Sequence, residues 1–308
     1  MSENDRFRGC LLGLAVGDAV GTTGEFQPRG GFPPLTDMVG GGPHALNPGE
    51  WTDDTSMALC LATSLADRGR YDPADQMDRY WRWYREGYLS STGRCFDIGN
   101  TTGASLRRYA KSGDPYSGSA DPKAAGNGSI MRLAPVPMFF FPDLEAVEQH
   151  SGDSSRTTHA APECIDACRF LGRVICRALL GTTKEDVLLG DRRDFAGSPR
   201  IVEIARGEYL EKNECQISGD GYVAHSLEAA LWCFHHATTF GEAILAAANL
   251  GEDADTTAAV CGQVAGAFYG VREIPRRWTE QLVLGREIAE LADRLHYLQQ
   301  TREAVAPR

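Results

Sequence analysis

A chain of 308 residues, 42% hydrophobic and 24% charged, can bury a substantial core in one large domain or two. Its formal net charge of −11, with no block of Lys and Arg, argues against a groove that binds nucleic acid by neutralising phosphates. No apolar run approaches the roughly 18 residues of a membrane helix, and the start M-S-E-N-D-R-F-R lacks the basic and apolar parts of a secretion leader, so a cytoplasmic protein with no membrane partner is expected.

The first element is G-C-L-L-G-L-A-V-G-D-A-V-G, residues 9–21, where Gly9, Gly13, Gly17 and Gly21 recur every four residues and line one helix face with a groove for close packing. It is no dinucleotide fingerprint, because G-x-G-x-x-G is absent and no strand leads in. Asp18 within it reads as a buried group that satisfies backbone or caps a helix. Residues 21–51 hold Gly and Pro without periodicity, too long for an ordinary connection, and such loops are functional or disordered. Glu25 lies in this loop, either exposed or swinging over a site as a lid carboxylate.

Residues 73–86 predict an aromatic-rich helix with Tyr80, Trp81 and Tyr84. Residues 162–180 place Ile165, Cys168, Leu171, Ile175 and Leu179 at steps of three and four on one helix face, and 226–236 and 284–298 are spaced similarly. Residues 112–126 and 213–221 read as polar connections, and strand-like alternation is scarce. The nine cysteines include no C-x-x-C pair, and Cys60, Cys164, Cys168, Cys233 and Cys261 fall in apolar helical patterns, so buried free thiols in a reducing compartment are expected. The prediction is an all-α chain, one compact domain over 1–308 with a core from about 6 to 300.

Two acidic turns stand out. T-D-D-T-S-M-A-L, residues 52–59, and D-A-D-T-T-A-A-V, residues 253–260, each run straight into a helix of small or apolar residues. Asp, Ser and Thr are ordinary helix N-caps, and carboxylates favour the positive end of a helix dipole. A cap needs one side chain or two, however, and Thr52, Asp53 and Asp54 in one turn and Asp253, Asp255 and Thr256 in the other leave a surplus of oxygens. If the turns meet, so many like charges require a cation, and hard oxygen donors without His or Cys suit two Mg²⁺ or Mn²⁺ ions.

Shorter motifs are ambiguous alone. F-D-I-G-N-T-T, residues 96–102, sets Asp97 before a Gly-Asn turn and a helix start. G-N-G-S-I-M-R, residues 126–132, reads as a second Gly-Asn turn opening a helix, either a plain turn or a phosphate cradle. His159 precedes the long helix as a satisfied histidine or a ligand contact, and Tyr222 follows a Gly-rich turn to pack or to stack on a base. The neighbours His235 and His236 point apart on a helix and form no ligand set.

Taken in order over most of residues 6–270, these motifs resemble the ADP-ribosylglycohydrolase family, in particular the arginine-directed bacterial branch typified by dinitrogenase reductase-activating glycohydrolase. The carriers are G-L-A-V-G-D-A-V-G…G-E-F, W-T-D-D-T, F-D-I-G-N-T-T, G-N-G-S-I-M-R, T-T-H, G-Y-V-A-H-S-L-E-A-A-L and N-L-G-E-D-A-D-T-T-A-A-V-C-G-Q-V-A-G-A-F-Y-G. The resemblance implies an all-helical hydrolase that frees ADP-ribose from a modified protein, with arginine as the acceptor, and two divalent cations, Mg²⁺ or Mn²⁺. It implies that Thr52, Asp53, Asp54, Asp253, Asp255 and Thr256 hold the metals. Glu25 matches the mobile-loop glutamate and Asp97 the carboxylate near the scissile bond. Asn127, Gly128 and Ser129 match contacts to phosphate and ribose, His159 a nucleotide contact, Tyr222 the aromatic on adenine, and Asn100 is a further expected ligand-binding residue. Glu252 departs from the pattern and is expected to add charge beside the metals, and residues 27–50 match no pattern. The alternatives are another ADP-ribosyl linkage (serine, nucleic-acid base or small molecule), a non-catalytic binder of ADP-ribose, and a metal-dependent phosphoryl hydrolase.

Overall fold

The first helix opens on a capping box: Ser2 Oγ accepts from the Asp5 amide at 3.0 Å, and the Asp5 carboxylate accepts from the Ser2 amide at 3.1 Å. The computed structural model describes residues 1–190 and 192–305, with side chains through 302. Its first helices are α1 (Glu3–Gly21), α2 (Asp53–Arg68), α3 (Pro73–Glu86), α4 (Asn100–Ser112), α5 (Pro135–Phe140), α6 (Leu144–Arg156) and α7 (Pro162–Leu180). They are followed by α8 (Lys184–Leu189), α9 (Pro199–Ala205), α10 (Val223–His236), α11 (Phe240–Ala248), α12 (Ala254–Tyr269), α13 (Arg276–Gln281) and α14 (Gly285–Val305). Among the described residues no sheet forms, only three isolated bridges, so the fold is all-α as expected. Asp72, Asp143, Thr183 and Thr239 cap helix starts with side-chain oxygens, and the left-handed glycines 69, 87, 113 and 181 end α2, α3, α4 and α7.

The centre is a glycine seam between α1 and α12. From Gly9 to Gly21 every residue of α1 is buried, so the helix carries no single apolar stripe. A Cβ added at Gly9, Gly13, Gly17 or Gly21 would lie 2.2, 2.3, 2.1 or 2.4 Å from the carbonyl oxygens of Gly266, Gly262, Ala258 and Ala254 in turn. The four-residue glycine period is therefore the backbone-to-backbone contact of two core helices. α7, α10 and α11 surround α12, α14 lies across α1 and α2, and α3 and α6 pack on α2 and α7. The seam brings the end of α1 beside the start of α12, which locates the site.

Helices expected at 73–86 and 162–180 occur as α3 and α7, while α10 begins earlier, at Val223, and α14 runs on to Val305. One expectation fails: G-N-G-S-I-M-R opens no helix, but runs through turns until α5 starts at Pro135. Met131 would need the amide of residue 135, which proline lacks. Gln263 of α12 takes over instead, donating to the carbonyls of Ile130 and Met131 at 3.0 and 2.9 Å and accepting the Ala134 amide at 2.8 Å. The long segment after α1 is irregular yet pinned, with Leu35, Met38 and Leu46 buried and Asn249 bracketing the backbone of Leu35 at 2.7 and 3.0 Å. Seven of the nine cysteines are buried. No helix among the described residues is long and apolar enough to cross a membrane.

Candidate active site

The two acidic turns meet. Thr52 Oγ1 lies 3.2 Å from Asp255 Oδ2 and 3.5 Å from Asp54 Oδ2, and Thr256 Oγ1 lies 3.4 Å from Asp54 Oδ2. Neither turn spends its side chains on its own helix, because neither Thr52 nor Asp253 makes a side-chain cap bond. Asp18, reaching across from α1, caps α2 instead. Its carboxylate accepts from the amides of Thr52 and Thr55 at 2.9 and 3.0 Å and from their hydroxyls at 2.9 and 2.6 Å. With capping delegated, the oxygens of Asp54 and Asp255 face each other across the junction.

These groups carry the charge problem that a cation relieves. Asp54 Oδ1, Asp255 Oδ1 and Glu25 Oε2 are buried without a hydrogen-bond partner. Burial, reinforced by neighbouring carboxylates, pushes Asp53, Asp54 and Asp255 well above the usual carboxylate range. Asp18 is raised to about 6 by burial, against the pull of its four hydrogen bonds. Glu25 is raised to about 9 by burial and then by the charge of Asp97. Orphaned hard oxygens on converging helix starts fit a divalent cation. A second cluster adjoins them: ligand atoms of Glu25, His44 and Asp97 lie within 4.8 Å of one another and form a candidate metal-binding group.

A pH dependence of the metal-free protein follows. Between about pH 4.5 and 9 the folded chain keeps on Glu25 a proton that the unfolded chain has released, so stability falls as pH rises. With EDTA, the melting temperature is expected to drop by about 5 °C or more from about pH 6 to about 8.5, and Mg²⁺ to reverse the trend. A flat or rising profile in EDTA, read by scanning calorimetry, would contradict this charge assignment.

Above the carboxylates lies a cavity of about 260 Å³. Asp53, Asp253, Asp255 and Thr256 form one wall, Glu25, Phe26 and Asp97 a second, and the Gly126–Gly128 turn with His159 a third. The first turn of α4, Asn100 to Thr102, completes the lining and has no side-chain cap, so its amides lack intrahelical acceptors. Asn127 Nδ2 donates to Asp253 Oδ2 and to Ser226 Oγ, both at 2.8 Å, which ties the turn to the carboxylates. A neighbouring recess of about 460 Å³, lined by Tyr222, Pro122 and Lys123, shares Thr101, Gly126 and Gly221 with the cavity. Tyr222 is held there by its hydroxyl, which donates to Glu163 at 2.7 Å.

Some residues sit otherwise than expected. Glu25 is buried, its loop held by reciprocal backbone bonds, Phe26 N to Glu252 O at 2.6 Å and Glu252 N to Gln27 O at 2.7 Å. The Glu252 carboxylate accepts from the Gly219 amide at 2.9 Å and the Ser218 hydroxyl at 3.2 Å, so its charge is spent on the 218–219 turn. Ser129 is buried beneath the turn and does not line the cavity. Asp97 adopts a left-handed backbone, φ 58°, uncommon for a residue other than glycine. Sequence reading missed His44, whose Nε2 stands 3.2 Å from Asp97 Oδ1 and 3.6 Å from Glu25 Oε2 with its ring edge on Phe96. It also missed Arg132 and Gln263, buried polar residues that brace the turn. No local signal marks His44, but a lone Arg and Gln in apolar runs signal buried hydrogen-bond anchors.

Comparison with known proteins agrees with this geometry. The family model described as ADP-ribosylglycohydrolase matches residues 1–305. The chain is 46% identical over 294 residues to the ADP-ribosylarginine hydrolase Tri1 of Serratia proteamaculans, covering 96% of this chain and 80% of that protein. It is 35% identical over 303 residues to the ADP-ribosyl-[dinitrogen reductase] glycohydrolase of Rhodospirillum rubrum, covering 96% of each. A solved structure titled ADP-ribosylglycohydrolase-related protein complex superposes with a TM-score of 0.87 at 44% identity, over 96% of this chain and 99% of that one. With its two acidic helix mouths joined at the base of the cleft, the chain belongs to the ADP-ribosylglycohydrolase family.

Proposed function

We propose that the protein hydrolyses the N-glycosidic bond between ADP-ribose and a protein arginine, releasing ADP-ribose. The observation that carries the reading is the contact of the two acidic helix mouths, Thr52 with Asp255 and Thr256 with Asp54, beneath a cavity rimmed by Glu25 and Asp97. The arginine acceptor is supported by relatives named ADP-ribosylarginine hydrolase at 46% and 47% identity. Thr52, Asp53, Asp54, Asp253, Asp255 and Thr256 would hold two divalent cations, Mg²⁺ or Mn²⁺, which when bound orient ribose hydroxyls and acidify a water. The buried thiols suit a reducing compartment, and the cytoplasm is the proposed location.

The chain's own groups divide the remaining work. The bond from C1 of the ribose to the guanidinium nitrogen breaks as water oxygen bonds to C1, through an oxocarbenium-like state. Of the two protons of water, one remains on the new ribose hydroxyl and the other is passed through a carboxyl group to the departing guanidine. Glu25 and Asp97, with carboxylate oxygens within 4.8 Å of each other on one wall of the cavity, are assigned to that transfer and to orienting the guanidinium. Asn127, Gly128, His159 and the first turn of α4 at Asn100 are assigned to ribose and phosphate oxygens, and Tyr222, in the adjoining recess, to the adenine.

The test is release of ADP-ribose from an ADP-ribosylated arginine protein with Mg²⁺ or Mn²⁺, beside serine-linked and base-linked substrates. Preference for either of those, or AMP as the product, would replace the reading. Asp97→Asn is expected to lower kcat by about 10²–10⁴-fold while ADP-ribose still binds, measured by steady-state kinetics and calorimetry. Full activity in that variant would remove Asp97 from the reaction.

A further inference from the structure

Arg132 is fully buried, yet among the described residues no carboxylate pairs with it. Its guanidinium donates to Gly128 O at 2.8 Å and to Thr158 Oγ1 at 2.7 Å, with Tyr80 stacked 4.8 Å away. Thr158 is buried too, and its hydroxyl has a second partner, His159 Nδ1, at 2.9 Å. Three groups in a line leave little freedom of proton placement. A guanidinium is a donor only, so Thr158 Oγ1 must accept from it. The hydroxyl then has one proton to give, and His159 Nδ1 is the acceptor in reach. Were Nδ1 protonated, the Thr158 hydroxyl would face two donors and its own proton would lack this acceptor. Nδ1 therefore carries no proton, and Nε2 of the neutral ring does.

The other side of the ring is the cavity. His159 lines it, and Cβ atoms placed on Gly126 and Gly128 would meet Nε2 at 3.6 and 3.2 Å, so this nitrogen faces the turn that forms the wall. No hydrogen bond within the protein engages Nε2 among the described residues. Burial, with Arg132 second, lowers the His159 pKa to about 3, in keeping with a ring held neutral.

We infer that Arg132 and Thr158 form a positioning relay that locks His159 in the Nε2–H tautomer, so that His159 presents a fixed neutral donor to an acceptor oxygen of the ligand and cannot serve as a base. Selection acts on the ligand: an oxygen with a lone pair, such as a phosphate or ribose oxygen, is accepted, and a donor group in its place leaves two hydrogens opposed. The assignment of the ligand rests on the proposed function, whereas the tautomer does not.

The experiment uses the full-length protein, ¹⁵N-labelled at histidine and supplied with Mg²⁺. Long-range ¹H–¹⁵N correlation, assigned by the loss of one ring system in His159→Gln, is expected to show an unprotonated Nδ1 and a protonated Nε2. In Thr158→Val the ring is expected to populate both tautomers, with KM for the ADP-ribosylated arginine protein raised about tenfold and kcat changed less than about twofold. Thr158→Ser restores both the tautomer and KM. A wild-type ring protonated at Nδ1 overturns the relay, as does Thr158→Val with tautomer and KM unchanged. If Thr158→Val does not fold, the wild-type spectrum and Thr158→Ser decide alone. Should the tautomer be as expected while ADP-ribose leaves the Nε2 signal unmoved and no arginine-linked substrate is cleaved, the relay stands and the proposed function fails.

Discussion

Asp255→Ala is expected to abolish release of ADP-ribose, by about 10³-fold or more, and to remove tight divalent-cation binding measured by calorimetry. Asp255 is buried at the contact of α2 and α12, where its Oδ2 meets Thr52 and its Oδ1 has no protein partner. Stability gives an independent reading of opposite sign. Asp255→Asn keeps the shape and deletes a charge that burial and Glu25 already oppose, so in EDTA it is expected to melt at or above the wild type. Saturating Mg²⁺, at about 100 times its dissociation constant, stabilises the wild type by about 2.7 kcal/mol and the variant by far less. Equal stabilisation of both proteins would take Asp255 out of the ligand set.

Gly17→Ala is expected to be strongly destabilising, one added methyl at the centre of the molecule. The new Cβ would stand 2.1 Å from Ala258 O, 2.6 Å from Ala258 C and 2.9 Å from Ala259 N, all backbone atoms that no rotamer change can remove. Overpacking of a core costs about 1–3 kcal/mol, and with backbone on both sides the upper end or beyond is expected, a fall of about 6 °C or more in melting temperature. The effect reaches the chemistry, because residue 18 is next in the chain and its carboxylate organises Thr52 and Thr55. Gly241→Ala is the control: its Cβ meets nothing closer than 3.6 Å, near the start of α11, and is expected to be neutral or mildly stabilising. A Gly17→Ala protein as stable and active as Gly241→Ala would refute the seam as the organising contact.

What could be read from the sequence follows the range of each signal. The helix at 162–180 is written in its own spacing, and Pro162 and Gly181 mark its limits, so periodicity suffices. The glycine period is visible in the sequence, but its partner is not, since Gly262 and Gly266 lie near the other end of the chain. The surplus oxygens of residues 52–54 and 253–256 can be counted in the sequence, and neither Thr52 nor Asp253 spends its side chain capping its own helix. That Asp18 does the capping could not be deduced, because it depends on a side chain that crosses from one helix to another. The turn at 126–132 misled for a definable reason: the local pattern suits a helix until Pro135 removes an amide and Gln263 supplies distant hydrogen bonds. His44 was out of reach, since nothing in G-P-H-A-L foretells that the loop will bend it against Asp97.

The seam also sets a timetable. α1 leaves the ribosome long before its partner α12, with ten other helices made in between. Until then an apolar helix with a glycine groove has no surface to close on, so the nascent chain stays open and sticky for most of its synthesis. Half of the acidic junction waits with it, since Thr52 and Asp54 meet Asp255 and Thr256 only when the groove is filled. A chain cut short before α12 is expected to leave the glycine groove of α1 unfilled and, lacking Asp255 and Thr256, to hold half of the acidic junction.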